Sequence, residues 1–267
     1  MYKWNAEDYH QNSSEQQRLA QEAIAKLGFQ GNERILDIGC GDGKITVELA
    51  ALVPNGSVVG IDSSAEMIAF AKSKFPASSF PNLSFQQGDA KNLNFENEFD
   101  AIVSFNCLHW IKDHLAVLAG IKKSLKPDGK IYFLFAGKTD NNGMSDLATK
   151  LTQMEKWQIY LQNLDNPYGL YTKEEYERIV DKVGLKALNV DAIATKMAFK
   201  DRERFKGLIR TTWLPLTERI PKNLHQELID DIANLYLEIN PPDENGFVYL
   251  PMMKLEVEAT KLETSDP

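Results

Sequence analysis

The chain has 267 residues, 43% hydrophobic and 25% charged, a length that holds one large α/β domain or a smaller one with an insertion, and a composition that excludes long disorder. Its net charge of -8 gives no general attraction to phosphate backbones, so nucleic acid is not an expected partner. Only two cysteines occur, Cys40 and Cys107, both in apolar strand-end segments, which argues against a disulfide framework and points to a reducing, cytoplasmic setting.

Residues 1–8 lack an apolar core of signal-peptide length, and nowhere do about eighteen apolar residues run together, so neither secretion nor membrane spanning is expected. Residues 13–27 read as an amphipathic helix, with Leu19, Ala23 and Leu27 recurring every fourth position. Short β-rich runs then alternate with helical ones, the signature of a parallel sheet covered by helices. Strands are expected at 35–38, 57–61, 83–87, 101–105 and 130–135, and helices at 44–52, 65–74 and 113–125, with Lys126-Pro127-Asp128-Gly129 as the turn before the fifth strand. Asp140-Asn141-Asn142-Gly143 reads as a turn, after which aromatic-rich helices are expected at 144–164, 173–183, 201–212 and 222–239, with a strand within 185–200. A closing strand pair is expected at 247–250 and 254–259, and 260–267 as a frayed tail.

The chemistry-bearing residues sit at strand ends. The first strand ends in Asp37, and Gly39, Gly41 and Gly43 follow in a loop whose bare backbone lets a ligand approach closely. A dinucleotide fingerprint counted from Gly39 and Gly41 wants a third glycine where Lys44 stands, which weakens a pyrophosphate reading. S-adenosylmethionine carries no phosphate; its zwitterionic end asks for a carboxylate near the ammonium and backbone donors near the carboxyl group, which Asp37 and the loop with Cys40 would supply. Asp62 at the end of the second strand would take both ribose hydroxyls, with Ser63 and Met67 just beyond it. Asp89 in Gly88-Asp89-Ala90 would accept from the adenine amino group, with Ala90 beside it.

In this order, Ile35-Leu36-Asp37-Ile38-Gly39-Cys40-Gly41-Asp42-Gly43, Gly60-Ile61-Asp62 and Gly88-Asp89-Ala90 resemble the first three motifs of class I methyltransferases, over about residues 34 to 135. The resemblance implies a Rossmann-like, seven-stranded, mostly parallel sheet with helices on both faces and a helical lid, its last strands drawn from the C-terminal half. On this reading 1–33 is an N-terminal helical cap, 34–139 the cofactor-binding core, 140–240 a helical lid and acceptor region, and 241–267 the C-terminal strands and tail. S-adenosylmethionine is the expected cofactor and S-adenosylhomocysteine the product, with no metal.

After the fourth strand, where an acceptor faces the methyl group, stand Asn106-Cys107-Leu108-His109-Trp110. The Asn/Asp-Pro-Pro-aromatic motif of DNA and protein amide methylators is absent there, so amino-group transfer is disfavoured; Asn240-Pro241-Pro242-Asp243 reads as a helix stop. Leu108-His109-Trp110-Ile111 and Glu155-Lys156-Trp157 resemble juvenile hormone acid methyltransferases, whereas Thr212-Trp213-Leu214 and Pro241-Pro242 through Leu250-Pro251 resemble trans-aconitate methyltransferases. The resemblance implies that Trp110 and Gln16 contact the acceptor, with Gln11 and Gln17 as alternates, and that the reaction is esterification of a small carboxylic acid. An ionised carboxylate needs no base, only alignment and exclusion of water. Two other readings stay open: transfer to carbon or hydroxyl oxygen with His109 as base, and cofactor binding without turnover. Oligomeric state, monomer or homodimer, is not legible.

Overall fold

The computed structural model describes residues 3–139, 143–163 and 166–262. Of the turn expected at 140–143, residues 140–142 lie outside the described residues, as do residues 263–267 of the tail expected at 260–267. Seven strands form one sheet: β1 (Arg34–Ile38), β2 (Ser57–Asp62), β3 (Leu83–Gln87), β4 (Phe99–Phe105), β5 (Leu125–Ala136), β6 (Lys186–Phe199) and β7 (Val248–Thr260). Their order is β3-β2-β1-β4-β5-β7-β6. Strands β1 to β5 pair in parallel and β7 runs antiparallel to β5, so the expected Rossmann-like, mostly parallel sheet is present. The order reverses between β1 and β4, and open parallel sheets bind ligands outside the strand ends at such a switch point.

The chain clusters into two compact units. The sheet unit holds Gln16–Lys138, Tyr168–Ile193 and Met253–Pro267; the helical unit holds Met1–Glu15, Thr139–Pro167 and Ala194–Met252. These divisions differ from boundaries at 139/140 and 240/241 because α8 (Lys173–Lys182) buries Tyr176 and Val180 in the sheet core, among Leu108, Val117, Ile121, Phe135 and Leu255. Within 140–240, then, residues 168–193 belong with the sheet. A capping box starts α8: Thr172 Oγ1 accepts from the Glu175 amide, and the Glu175 carboxylate accepts from the Thr172 amide.

The cofactor-side helices lie where their periodicity places them. α3 (Lys44–Leu52) follows β1, and α4 (Ala65–Lys74) follows β2, capped by Ser64 Oγ accepting from the Met67 amide. α5 (His114–Ser124) is capped by Asp113. At the N-terminus the helix expected at 13–27 is α2 (Ser14–Ile24), and a second helix, α1 (Ala6–Asn12), precedes it.

Three expectations are corrected. Lys126-Pro127-Asp128-Gly129 lies inside β5, not before it: the ladder with β4 shifts register between Phe99 and Ala101, and the bulge, with Asp128 at φ 59, is held by Asp128 and Gly129 hydrogen bonding Lys261. The closing strand pair is one strand, because Pro251 precedes the stretch that pairs with β5, Lys254 to Thr260, and its missing N–H removes nothing from that ladder. The helix expected at 144–164 is broken by extended backbone at Met154 into α6 (Gly143–Gln153) and α7 (Glu155–Leu161).

Within the helical unit, α9 (Arg202–Thr212) packs on α1, with Arg210 in a bidentate pair with Asp8 at 2.6 Å. A short α10 (Leu214–Thr217) follows it, and α11 (His225–Ile239) accepts the buried Trp157 indole N–H on Asp231 at 2.7 Å. No helix among the described residues is long and apolar enough to cross a membrane, and no group of three or more His, Cys, Asp or Glu among them is arranged to hold a metal ion.

Candidate active site

Everything in the candidate site belongs to the sheet unit. The glycine loop turns back on itself through positive φ at Gly39 (77), Gly41 (53) and Gly43 (83). Gly39 has two reasons to be glycine: the left-handed backbone, and a Cβ there would lie 2.1 Å from Cys107 Sγ. We expect Gly39→Ala to lower the thermal midpoint by more than about 5 °C, as a strained, overpacked core substitution does, and to abolish cofactor binding; thermal unfolding with and without cofactor checks it.

The loop amides are engaged within the protein. Gly39 and Cys40 N–H both donate to Ile61 O, at 2.8 and 3.0 Å, Gly43 N–H donates to Cys40 O, and Gly41 N–H donates to the Asp62 carboxylate at 3.1 Å. Each of these four amides thus has an acceptor within the protein. An anionic pyrophosphate would meet two carboxylates here rather than a nest of free N–H donors, which adds to the missing third glycine as an argument against a dinucleotide.

Those carboxylates are Asp37 and Asp62. Asp37 ends β1 almost fully buried, 2% exposed, and accepts from Thr46 Oγ1 of α3 at 2.8 Å. Burial pushes its pKa up to about 7 against the lowering effect of the Thr46 bond, and the Asp62 charge adds to the rise. Asp62 takes one hydrogen bond per oxygen, Ser64 N–H on Oδ1 at 2.8 Å and Gly41 N–H on Oδ2, which fixes its plane; burial raises its pKa over the lowering effect of these bonds. Ser63 is half-buried and its carbonyl accepts from Gln87, while Met67 and Ala90 are buried and apolar. Asp89 is half-buried, accepting from Lys91 N–H and Asn92 Nδ2. Cys40 and Cys107 have thiol pKa values raised mainly by burial, so both stay protonated.

On the acceptor side, a single 3-10 turn, Leu108–Trp110, follows β4. Asn106 adopts φ 55 and its Nδ2 donates to the backbone carbonyl of Gln16 at 3.0 Å, so α2 is tied to the turn at that residue. Asn106, a candidate cofactor contact by its place at the end of β4, uses its side chain to join α2 to the turn. Gln16 is 7% exposed and its Oε1 is buried with no hydrogen-bond partner. The alternates differ: Gln11 is exposed and bonded to Glu7, and Gln17 is bonded to Glu48 at 2.6 Å. His109 also has a buried ring nitrogen, Nδ1, without a partner. Burial, reinforced by His114, lowers its pKa to about 4, so the imidazole is neutral at physiological pH. Trp110 is half-buried, with its ring 5.5 Å from that of His109.

Thr46, nine positions beyond the Asp37 it orients, and Asn106, ninety positions beyond the Gln16 it ties in, act through side-chain contacts that no motif announces. The motif order of the loop and acids did leave one.

This arrangement is that of a class I S-adenosylmethionine-dependent methyltransferase, and the chain belongs to that family. Residues 35–129 match the family described as a methyltransferase domain. The trans-aconitate 2-methyltransferase of Shigella flexneri serotype 5b is 33% identical over 98% of this chain and 100% of its own length. The juvenile hormone acid O-methyltransferase of Bombyx mori is 27% identical over 88% of this chain and 85% of its own. Phosphoethanolamine N-methyltransferase 2 of Haemonchus contortus, solved with S-adenosylhomocysteine, shares the fold at a TM-score of 0.60 and 20% identity, covering 92% of this chain and 53% of that one. The cofactor is thus S-adenosylmethionine, and a loop flanked by the buried Asp37 carboxylate and the half-buried Asp62 carboxylate suits a cationic ligand better than an anionic one.

Proposed function

We propose that the protein methylates the carboxylate of a small organic acid, of the trans-aconitate kind or of the fatty and isoprenoid kind. The observation that carries this reading is His109: an imidazole with a pKa of about 4 is a poor general base for a hydroxyl or carbon acceptor, whose proton must be removed. A carboxylate arrives already ionised. The names of the two relatives, trans-aconitate and juvenile hormone acid methyltransferases, support the same reaction class.

On this reading Asp37 holds the cofactor ammonium, Asp62 the ribose hydroxyls and Asp89 the adenine amino group, with Ser63, Met67 and Ala90 about the adenosine and Cys40 with the glycines shaping the loop. The bound cofactor supplies the methyl group from its sulfonium. Gln16 carries a carboxamide NH2 group and Trp110 an indole N–H, neutral donors that orient the acceptor oxygen without neutralising it. Neutral donors suit this task because a guanidinium held tightly against the nucleophile would stabilise the fully charged ground state more than the transition state, in which that charge is being neutralised.

Purified enzyme incubated with cofactor and a panel of carboxylic acids should yield methyl esters, and His109→Ala should lower kcat by less than about tenfold. A loss of about 100- to 10,000-fold, the range of general base catalysis, would instead favour a hydroxyl or carbon acceptor.

A further inference from the structure

Tyr168 opens the segment that returns to the sheet unit ahead of α8, and its ring closes a triangle with the two aromatic residues of the acceptor turn. Its centroid lies 5.1 Å from that of Trp110 and 6.2 Å from that of His109, with the planes inclined at 57° and 37°. These separations put the three rings in mutual contact, as an apolar wall rather than three isolated side chains.

The segment is fastened to the turn residue by residue. Gly169 N–H donates to the His109 carbonyl at 2.9 Å, and a Cβ at Gly169 would fall 1.9 Å from Ile111 O, so only glycine allows this approach. Tyr171 hydroxyl donates to the Lys112 carbonyl at 2.6 Å, while its ring lies 4.7 Å from that of His114. His114 Nε2 lies 2.9 Å from the Leu108 carbonyl and its Nδ1 lies 3.2 Å from the Tyr176 hydroxyl, a pattern met by a proton on Nε2 with Tyr176 donating to Nδ1. The carbonyls of Leu108, His109 and Lys112 are thus all held from outside the turn. Such a strap keeps Tyr168 in register with Trp110 at the end of β4, the edge where ligands of this sheet bind.

Tyr168 is half-buried, and beside the neutral His109 and Trp110 rings it offers hydrocarbon contact. A second carboxylate against that wall would lose water without gaining a counter-charge from it. We propose that Tyr168 is a specificity-determining residue that packs on the apolar body of the acceptor, so that the site takes a monocarboxylic acid bearing a hydrocarbon chain in preference to a polycarboxylate. This rests on the carboxylate reading above and sharpens it.

The test uses full-length protein saturated with S-adenosylhomocysteine and titrated with dodecanoate or citrate by calorimetry. Wild type binds dodecanoate more tightly than citrate. Tyr168→Ala weakens dodecanoate about ten- to a hundredfold, the effect of losing a well-packed aromatic contact, while Tyr168→Phe stays within about threefold. The affinity of both variants for S-adenosylhomocysteine is unchanged. Equal dodecanoate affinity in Tyr168→Ala, no dodecanoate binding by wild type, or citrate bound as tightly as dodecanoate overturns the proposal. So does loss of S-adenosylhomocysteine affinity in Tyr168→Ala, which would make the ring structural. If dodecanoate binds in a Tyr168-dependent way and yet no acid of the panel is esterified, it is the carboxyl-methylation reading that fails.

Discussion

Replacing Asp62 by alanine is expected to weaken S-adenosylmethionine binding by about 100- to 10,000-fold while leaving the ligand-free protein folded. The size follows from the chemistry: two hydrogen bonds from ribose hydroxyls to a charged acceptor contribute roughly 1.5–3 kcal/mol each, and about 1.4 kcal/mol is a factor of ten. The carboxylate plane is set before the ligand arrives by Ser64 N–H on one oxygen and Gly41 N–H on the other. For that reason asparagine is not a gentle substitute. Its NH2 group must face one of those two N–H donors, so Asp62→Asn should also bind poorly although its shape is kept. Stability should move little, because two effects oppose: two amides lose an acceptor, but a carboxylate whose pKa is raised by burial is no longer held in a site that disfavours its charge. Calorimetry for affinity and thermal unfolding for stability separate the effects, and cofactor binding within about tenfold of wild type would exclude Asp62 from the ribose site.

That the cofactor side was readable from sequence while the acceptor side was read only in outline has a physical cause. Asp37, the glycines and Lys44 are neighbours in the chain, and their spacing reflects one local turn between a strand and a helix. Asp62 and Asp89 recur because parallel strands β2 and β3 must end at the same edge as β1. The chemistry of the loop was less legible: backbone donors expected for a ligand are bonded to Ile61 O and Asp62, which depends on how β2 lies against the loop. Gln16 and Trp110 came from resemblance, and the tie between Gln16 and the turn runs through Asn106, ninety positions away. Gly169 carried no sequence signal because a glycine after a tyrosine reads as an ordinary loop; only the 1.9 Å clash that a side chain would make gives it meaning. The same limit explains β7, expected as a strand pair at 247–250 and 254–259, where Pro251 lies outside the stretch that pairs with β5.

Asp37 makes cofactor binding and ligand-free stability depend on pH with opposite signs. Burial lifts its pKa in the free protein from 3.8 to about 7, so at pH 6 it is protonated in roughly nine-tenths of molecules. An ammonium beside it favours the carboxylate and lowers the pKa in the complex. Binding therefore releases a proton, and affinity should rise with pH by up to about tenfold per unit below pH 7, flattening above it. For the ligand-free protein the sign is reversed: an acid whose folded pKa lies above its unfolded value holds its proton more tightly when folded, so stability is lost as pH rises from about 4 to 7 and is level beyond. The full effect of a shift of about three units is at most about 4 kcal/mol. Asp37→Asn keeps a hydrogen-bonding partner for Thr46 and removes the titration. Its advantage in thermal midpoint over wild type should therefore grow from pH 4 to pH 7, while its cofactor affinity is low and no longer follows the Asp37 titration near pH 7. Calorimetry at pH 6 in two buffers of different ionisation enthalpy should show close to one proton released by wild type and none by Asp37→Asn. A wild-type affinity that is flat between pH 5.5 and 7, with no proton release, would remove Asp37 from the ammonium site and leave it a structural acid under α3.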